Sequence, residues 1–243
     1  MLASGGADQV ITCVEVKDKG CQPITKIASE ELDAAALTTA MGGLPPRMVI
    51  YKALAVGFSY PGDLIPELVR QGYFVAVAQQ AEAAGYRLAA AGLQDTGPAG
   101  ELQVAYSYYF DIGPKYPPCP PYAGIYQNRN GRPMLLWELV QFYRHFGLAV
   151  SPAVKELPDH VSVELEFMYY LVFKEHQAAV CAGEDGPGYR RAQRDFLARH
   201  LARWVPGFTA RVADKCSHPF YRALAGWLQE WVAGEEKLLL GEA

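Results

Sequence analysis

The chain has little of what would send it across a membrane, onto nucleic acid or around a cofactor. Its first twenty residues, MLASGGADQVITCVEVKDKG, combine no basic start with an apolar run of signal-peptide length. No later stretch reaches the roughly 20 apolar residues of a membrane span. The five cysteines, Cys13, Cys21, Cys119, Cys181 and Cys216, are odd in number and contain no C-x-x-C pair, which removes the usual zinc and dithiol motifs and fits a reducing compartment. The expected location is the cytoplasm. A formal charge of -4 and a pI near 5.8 argue against a polyphosphate partner, because nucleic-acid binding needs clustered Lys and Arg to release counterions. The arginines at 190, 191, 194, 199 and 203 alternate with apolar residues at helical spacing and are expected on a solvated helix face.

Chemistry is equally sparse. There is no G-x-G-x-x-G fingerprint, no P-loop, no nucleophile elbow and no cysteine with a base partner that the sequence nominates, so no catalytic residue and no cofactor are expected. His160 and Glu164 stand four apart on one helical face and could supply two ligands of a carboxylate-histidine metal site, but the further Glu-x-x-His units of a di-metal bundle are missing. His200, beside Leu197, Leu201 and Trp204, reads as a core histidine hydrogen-bonded within the packing. His145 and His176 read as helix-end residues favoured by the dipole.

What the chain does have is apolar residues at helical spacing: 243 residues, 51% of them hydrophobic, suffice for a sizeable core. A short strand is possible at Val10 to Val16, and Ser29 can cap a helix running toward Met41. Residues 1–46 are thus an extension with a first helix, and 47–243 form a single compact all-helical domain. Helices are expected from about Arg47 to Tyr60, after Asp63 as a cap, from Phe74 to Leu93, and from Glu101 to Phe110. GPKYPPCPPY then keeps the chain extended and forms an interhelix hinge at about 113–121, a feature compatible with a monomer or a hinge-swapped dimer. Three more helices follow. In the second of them Val161, Leu165, Met168 and Val172 mark one buried face. GEDGPG at 183–188 reads as a loop, and Pro206 and Pro219 are expected to divide the tail into two further helices. Pro158 favours an extended entry, and Asp159 is placed to cap the helix starting at His160 by accepting from a backbone N–H near Ser162.

Five blocks in order carry a resemblance. KELPDHVSVELEFMYYL at 155–171, CPPYAGIY at 119–126 and HPFYRALAGWL at 218–228, with FYRHFGL at 142–148 and RDFLARHLARWVPGF at 194–208 between them, resemble the TorD/DmsD/NarJ family of redox-enzyme maturation chaperones over roughly residues 47 to 232. LPDH, FYRHFGL and FLARHL are similar to the branch serving type II enzymes of the dimethyl sulfoxide reductase family. The resemblance implies an all-helical protein that is not an enzyme. It implies binding of the apo catalytic, molybdenum-binding subunit of a redox enzyme, at or near a twin-arginine leader, until cofactors are inserted and export follows. It implies client-binding positions at Tyr122, Tyr126, Pro158, Asp159 and His160, with Glu164 on the same helix face. The chain departs from leader-binding members in having Pro121 and Tyr122 where those carry a tryptophan. A structural subunit retained in the mature complex, and a helical metal-dependent enzyme using His160 and Glu164, are the competing classes. An apolar groove with an acidic rim is what a leader would need, and Tyr106, Tyr108, Tyr109, Tyr116, Tyr122 and Tyr126 are candidates to line it, in competition with core packing.

Overall fold

Pro46 supplies the preset φ of a first helical residue and opens α1 (Pro46–Gly57), whose residues from Met48 to Gly57 are all buried. A helix apolar on every side must be enclosed, and α1 is, by α7 (Val161–Val180), α3 (Tyr73–Ala83) and α10 (Pro219–Leu240). The computed structural model describes residues 44–113, 116–127, 131–150, 156–180 and 186–241. The strand expected at Val10 to Val16 and the helix expected after Ser29 lie outside these residues. The remaining elements are α2 (Leu64–Arg70), α4 (Glu101–Tyr106) running into a π turn at Ser107–Asp111, α5 (Ala123–Tyr126), α6 (Arg132–His145), α8 (Gly186–Arg199) and α9 (Leu201–Lys215). The architecture is all-helical, with no strand among the described residues. Its buried side chains form one contiguous cluster.

Several boundaries differ from the sequence expectation for identifiable reasons. The alanine-rich helix stops at Ala83, about a turn and a half after Val77, because Gly85 adopts φ +88° and the N–H groups of Gly85 and Tyr86 return to the carbonyls of Glu82 and Ala81. That pairing closes the orphan carbonyls of a helix end and requires a residue free to enter the left-handed region. Tyr86 then packs edge-on against Trp231, ring centroids 5.1 Å apart. Asp63 precedes α2 without its side chain capping it. Gly186, Pro187 and Gly188 form the first turn of α8 rather than loop. In the tail the break falls at His200, and Pro206 sits inside α9 on its exposed side, where solvent can take the carbonyl that loses its donor.

Polar groups also hold the core. Arg47 forks onto Glu235 through Nε (2.9 Å) and Nη2 (2.6 Å), and Nη2 also reaches Gln193 Oε1 at 2.8 Å. Tyr51 donates to Glu235 at 2.9 Å, and Gln193 donates to Glu175 at 2.8 Å. This network ties together α1, α7, α8 and α10. The proline-rich segment is packed down: Cys119 is buried, its N–H donates to Tyr109 O at 2.7 Å, and Arg211 donates to Pro118 O. Cys119 and Cys216 are buried free thiols.

Candidate functional site

The fold brings the two segments singled out in the sequence, 119–126 and 156–160, side by side. Tyr122 and His160 form an isolated antiparallel bridge: Ala123 N donates to Asp159 O and Val161 N to Pro121 O, both at 2.9 Å. Tyr143 of α6 donates to Pro158 O at 2.8 Å and supports the turn from below.

Asp159 does not cap its own helix. Its Oδ2 accepts from Gly124 N at 3.0 Å, at the start of α5, and its carboxylate lies 3.4 Å from Arg132 Nη2. Because Asp159 is fully buried, this pairing with a charge and a helix N-terminus compensates its desolvation. The cap of α7 comes instead from His160, whose Nδ1 accepts from Ser162 N at 3.2 Å and lies 2.7 Å from Ser162 Oγ. Nδ1 is therefore the unprotonated nitrogen and Nε2 carries the hydrogen. Nε2 is buried without a hydrogen-bond partner, 3.7 Å from Glu156 Oε2. Burial pushes the His160 pKa down, against the opposing fields of Glu156, Asp159 and Asp111.

Tyr122 is half-buried. It donates to Glu156 Oε2 at 2.6 Å, stands edge-on to His160 at 5.0 Å, and has the Arg132 guanidinium 5.6 Å from its ring. Tyr126 stacks on Trp204, centroids 5.7 Å apart and planes 23° from parallel. Gly207 permits this approach, since a Cβ there would lie 3.3 Å from the tyrosine ring. Glu164 is fully buried: Oε2 accepts from Trp204 Nε1 at 3.2 Å and Oε1 has no partner. Burial raises its pKa well above the carboxylate range, with the Trp204 hydrogen bond opposing and Asp159 adding to the rise. The six residues named from the sequence thus share one junction, but only Tyr122, Tyr126 and Pro158 reach solvent. Arg132, Tyr143, Glu156 and Trp204 complete it. Arg132 lies outside every block singled out in the sequence; Tyr143, Trp204 and Glu156 lie inside the blocks at 142–148, 194–208 and 155–171, but only folding shows that they join this junction. His200 also differs from expectation. Neither ring nitrogen makes a hydrogen bond, although Nε2 stands 3.8 Å from Glu138 Oε1; the ring packs against Phe142 and Phe196, and burial, aided by Arg199, pulls its pKa down to about 4.

Glu164 makes a pH prediction. A carboxyl protonated in the folded chain and ionised in the unfolded one must take up a proton on folding. That penalty grows as pH rises above the ordinary carboxylate pKa and vanishes as pH falls toward it. Glutamine keeps an acceptor for Trp204 Nε1 and does not titrate. Glu164→Gln should therefore gain melting temperature relative to the parent as pH rises from about 5 to about 8. A constant difference across that range, in parallel thermal melts, would show that Glu164 does not titrate between folded and unfolded chain.

Several large apolar side chains near the junction are exposed. Val104, Tyr108 and Ile112, four residues apart, are 68%, 61% and 65% exposed, and Tyr60, Tyr116 and Leu157 are exposed as well. Asp111 stands among them, and its field reaches Tyr122 and His160. The π turn closes with Ile112 N donating to Ser107 O at 2.7 Å. Tyr106 is core, hydrogen-bonding Phe58 O, and Tyr109 hydrogen-bonds Ser217, so the tyrosine cluster divides between packing and surface. No cluster of three or more metal-ligating side chains occurs among the described residues.

A family model described as nitrate reductase delta subunit matches residues 76–210. A perchlorate reductase assembly chaperone protein of Dechloromonas aromatica (strain RCB) is 32% identical over 206 residues, covering 81% of this chain and 91% of the relative. A selenate reductase assembly chaperone protein of Thauera selenatis is 38% identical over 186 residues, covering 73% and 95%. A chlorate reductase assembly chaperone protein of Ideonella dechloratans is 36% identical over 146 residues, covering 59% and 75%. With the helical architecture, the joined 119–126 and 156–160 segments and these matches in hand, the chain belongs to the nitrate reductase delta subunit family, that of the TorD/DmsD/NarJ chaperones.

Proposed function

We propose that this chain is a cytoplasmic assembly chaperone that holds the apo catalytic, molybdenum-binding subunit of a redox enzyme, including its twin-arginine leader, until cofactors are inserted and export follows. The observation that carries this reading is the uncovered apolar stripe of Val104, Tyr108 and Ile112 beside the acidic groups Asp111 and Glu156, in a protein whose relatives are named as reductase assembly chaperones. An apolar, helix-prone client segment would lie on the stripe, and its arginines would meet Glu156 and Asp111 at the rim. Tyr122, Tyr126 and Pro158 would touch the client. Asp159, His160 and Glu164 would act from beneath, by fixing the turn that carries them.

Tagged protein purified from its native cells should carry a cofactor-free large redox subunit and be absent from the exported active enzyme. Its presence there at one copy per complex would instead establish a structural subunit, the reading that the family's own description invites. A synthetic leader peptide should bind with a dissociation constant on the order of micromolar, about -8 kcal/mol. Binding should weaken with salt. Equal affinity after both arginines are replaced by alanine would remove the acidic rim from the mechanism.

A further inference from the structure

Away from this site, α6 and α8 lie antiparallel against one another. Phe146, just past α6, meets Tyr189 near the start of α8 (5.9 Å), Phe142 meets Phe196 (5.5 Å), and Glu138 pairs with Arg199 at the far end. Leaving aside Arg132, which faces Asp159 at the junction, the two helices carry five arginines against Glu138 and Asp195, with Glu175 of α7 reaching Arg190, in a chain whose formal charge is -4. Positive charge thus exceeds negative charge on this helix pair of an acidic protein. On α6, Trp137 and Met134 stand out at 60% and 68% exposure, at helical spacing from Arg144. Of the four tryptophans of the chain, Trp204, Trp227 and Trp231 are buried; Trp137 alone projects into solvent.

We propose that the outer face of α6 and α8 docks on an anionic lipid surface, with Trp137 and Met134 entering the headgroup layer and Arg144, Arg191 and Arg194 lying over lipid phosphates. Indole and thioether side chains that project from a helix suit a layer that is apolar on one side and wet on the other. Arginines spread across two adjacent helices match a plane of negative charge better than a single acidic side chain. An acidic protein segment is the other occupant such a face could take. It would be expected to seat a tryptophan in a pocket of its own, whereas a bilayer needs only the projection observed. No described helix is long and apolar enough to cross a membrane, so the contact is peripheral.

The full-length chain should be mixed with vesicles of phosphatidylcholine alone or of phosphatidylcholine with phosphatidylglycerol, and followed by sedimentation and tryptophan emission. With the anionic vesicles, emission should shift to the blue, iodide should lose access to the fluorophore, and lipids brominated near the headgroup should quench it. Trp137→Phe should abolish the optical changes, since the other tryptophans are enclosed. Arg191→Gln combined with Arg194→Gln should lower the partition coefficient roughly thirty-fold. Absence of sedimentation with anionic vesicles at low salt would overturn the proposal, as would equal binding to phosphatidylcholine alone. If a glutamate-rich polypeptide protects Trp137 from iodide while vesicles do not, the face serves an acidic protein and the lipid assignment fails.

Discussion

Replacing Arg47 by methionine should cost about 3–5 kcal/mol and lower the melting temperature by on the order of 10 °C. The guanidinium is the centre of the network joining α1, α7, α8 and α10. It lies 2.6 Å from Glu235 Oε2, and the Glu235 side chain is 1% exposed. Methionine fills a similar volume, so the loss is electrostatic: Glu235 keeps the Tyr51 hydroxyl but no longer a counter-charge, and Gln193 loses a donor to its Oε1. A buried charge without its partner is penalised more heavily than the pair was ever favourable. The double variant Arg47→Met with Glu235→Leu should consequently recover much of the loss, leaving Tyr51 as the chief unsatisfied group. A melting temperature unchanged to within two degrees in the single variant would mean that solvent reaches the network and screens it.

Asp159→Asn should destabilise the protein by roughly 1.5–3 kcal/mol, the range for a hydrogen bond to a charged group. It should also weaken binding of the client subunit several-fold. Asparagine would serve well enough as the cap of its own helix, and a cap exchanged for another would leave stability nearly unchanged. But Asp159 serves α5 and Arg132, so the substitution removes the charge that holds 121–126 against 156–160. Glu156→Gln provides the contrast. Glu156 is half-buried, with a side chain 27% exposed, and the amide oxygen of the glutamine that replaces it can still accept from Tyr122, so folding should be little affected while a client arginine loses its partner. If Asp159→Asn melts with the parent and matures the client fully, the junction between the two segments does not depend on that carboxylate. If Glu156→Gln binds client like the parent, the acidic rim is elsewhere.

Much of the helix content was legible in the order of residues. The apolar positions of α1, α6, α7 and α8 repeat at helical spacing, and Val161, Leu165, Met168 and Val172 are all buried as that repeat requires. The blocks around CPPYAGIY and LPDH also identified, without coordinates, the two segments that meet. Where a local signal was read as decisive, neighbours sometimes overruled it. Alanine content favoured helix to Leu93, yet Gly85 in the left-handed region ended α3 with its carbonyls satisfied. Pro206 was tolerated within α9, because a proline on a solvent-facing side loses one hydrogen bond and little packing.

Sequence by itself determined the family, the helical periodicity and the residues of the Pro-Asp-His turn, since each depends on side chains close together along the chain. Tertiary structure decided what those residues do. Spacing offered Asp159 a backbone N–H two or three residues ahead; folding offered it both Gly124 N and Arg132, 35 and 27 residues away, and a buried carboxylate gains more from an N–H together with a positive charge than from one N–H alone. His160 could then take the vacant cap, Glu164 could be enclosed beside Trp204, and Trp137 could remain outside. Partner choice and burial depend on distances through space, and no local pattern in the chain encodes them.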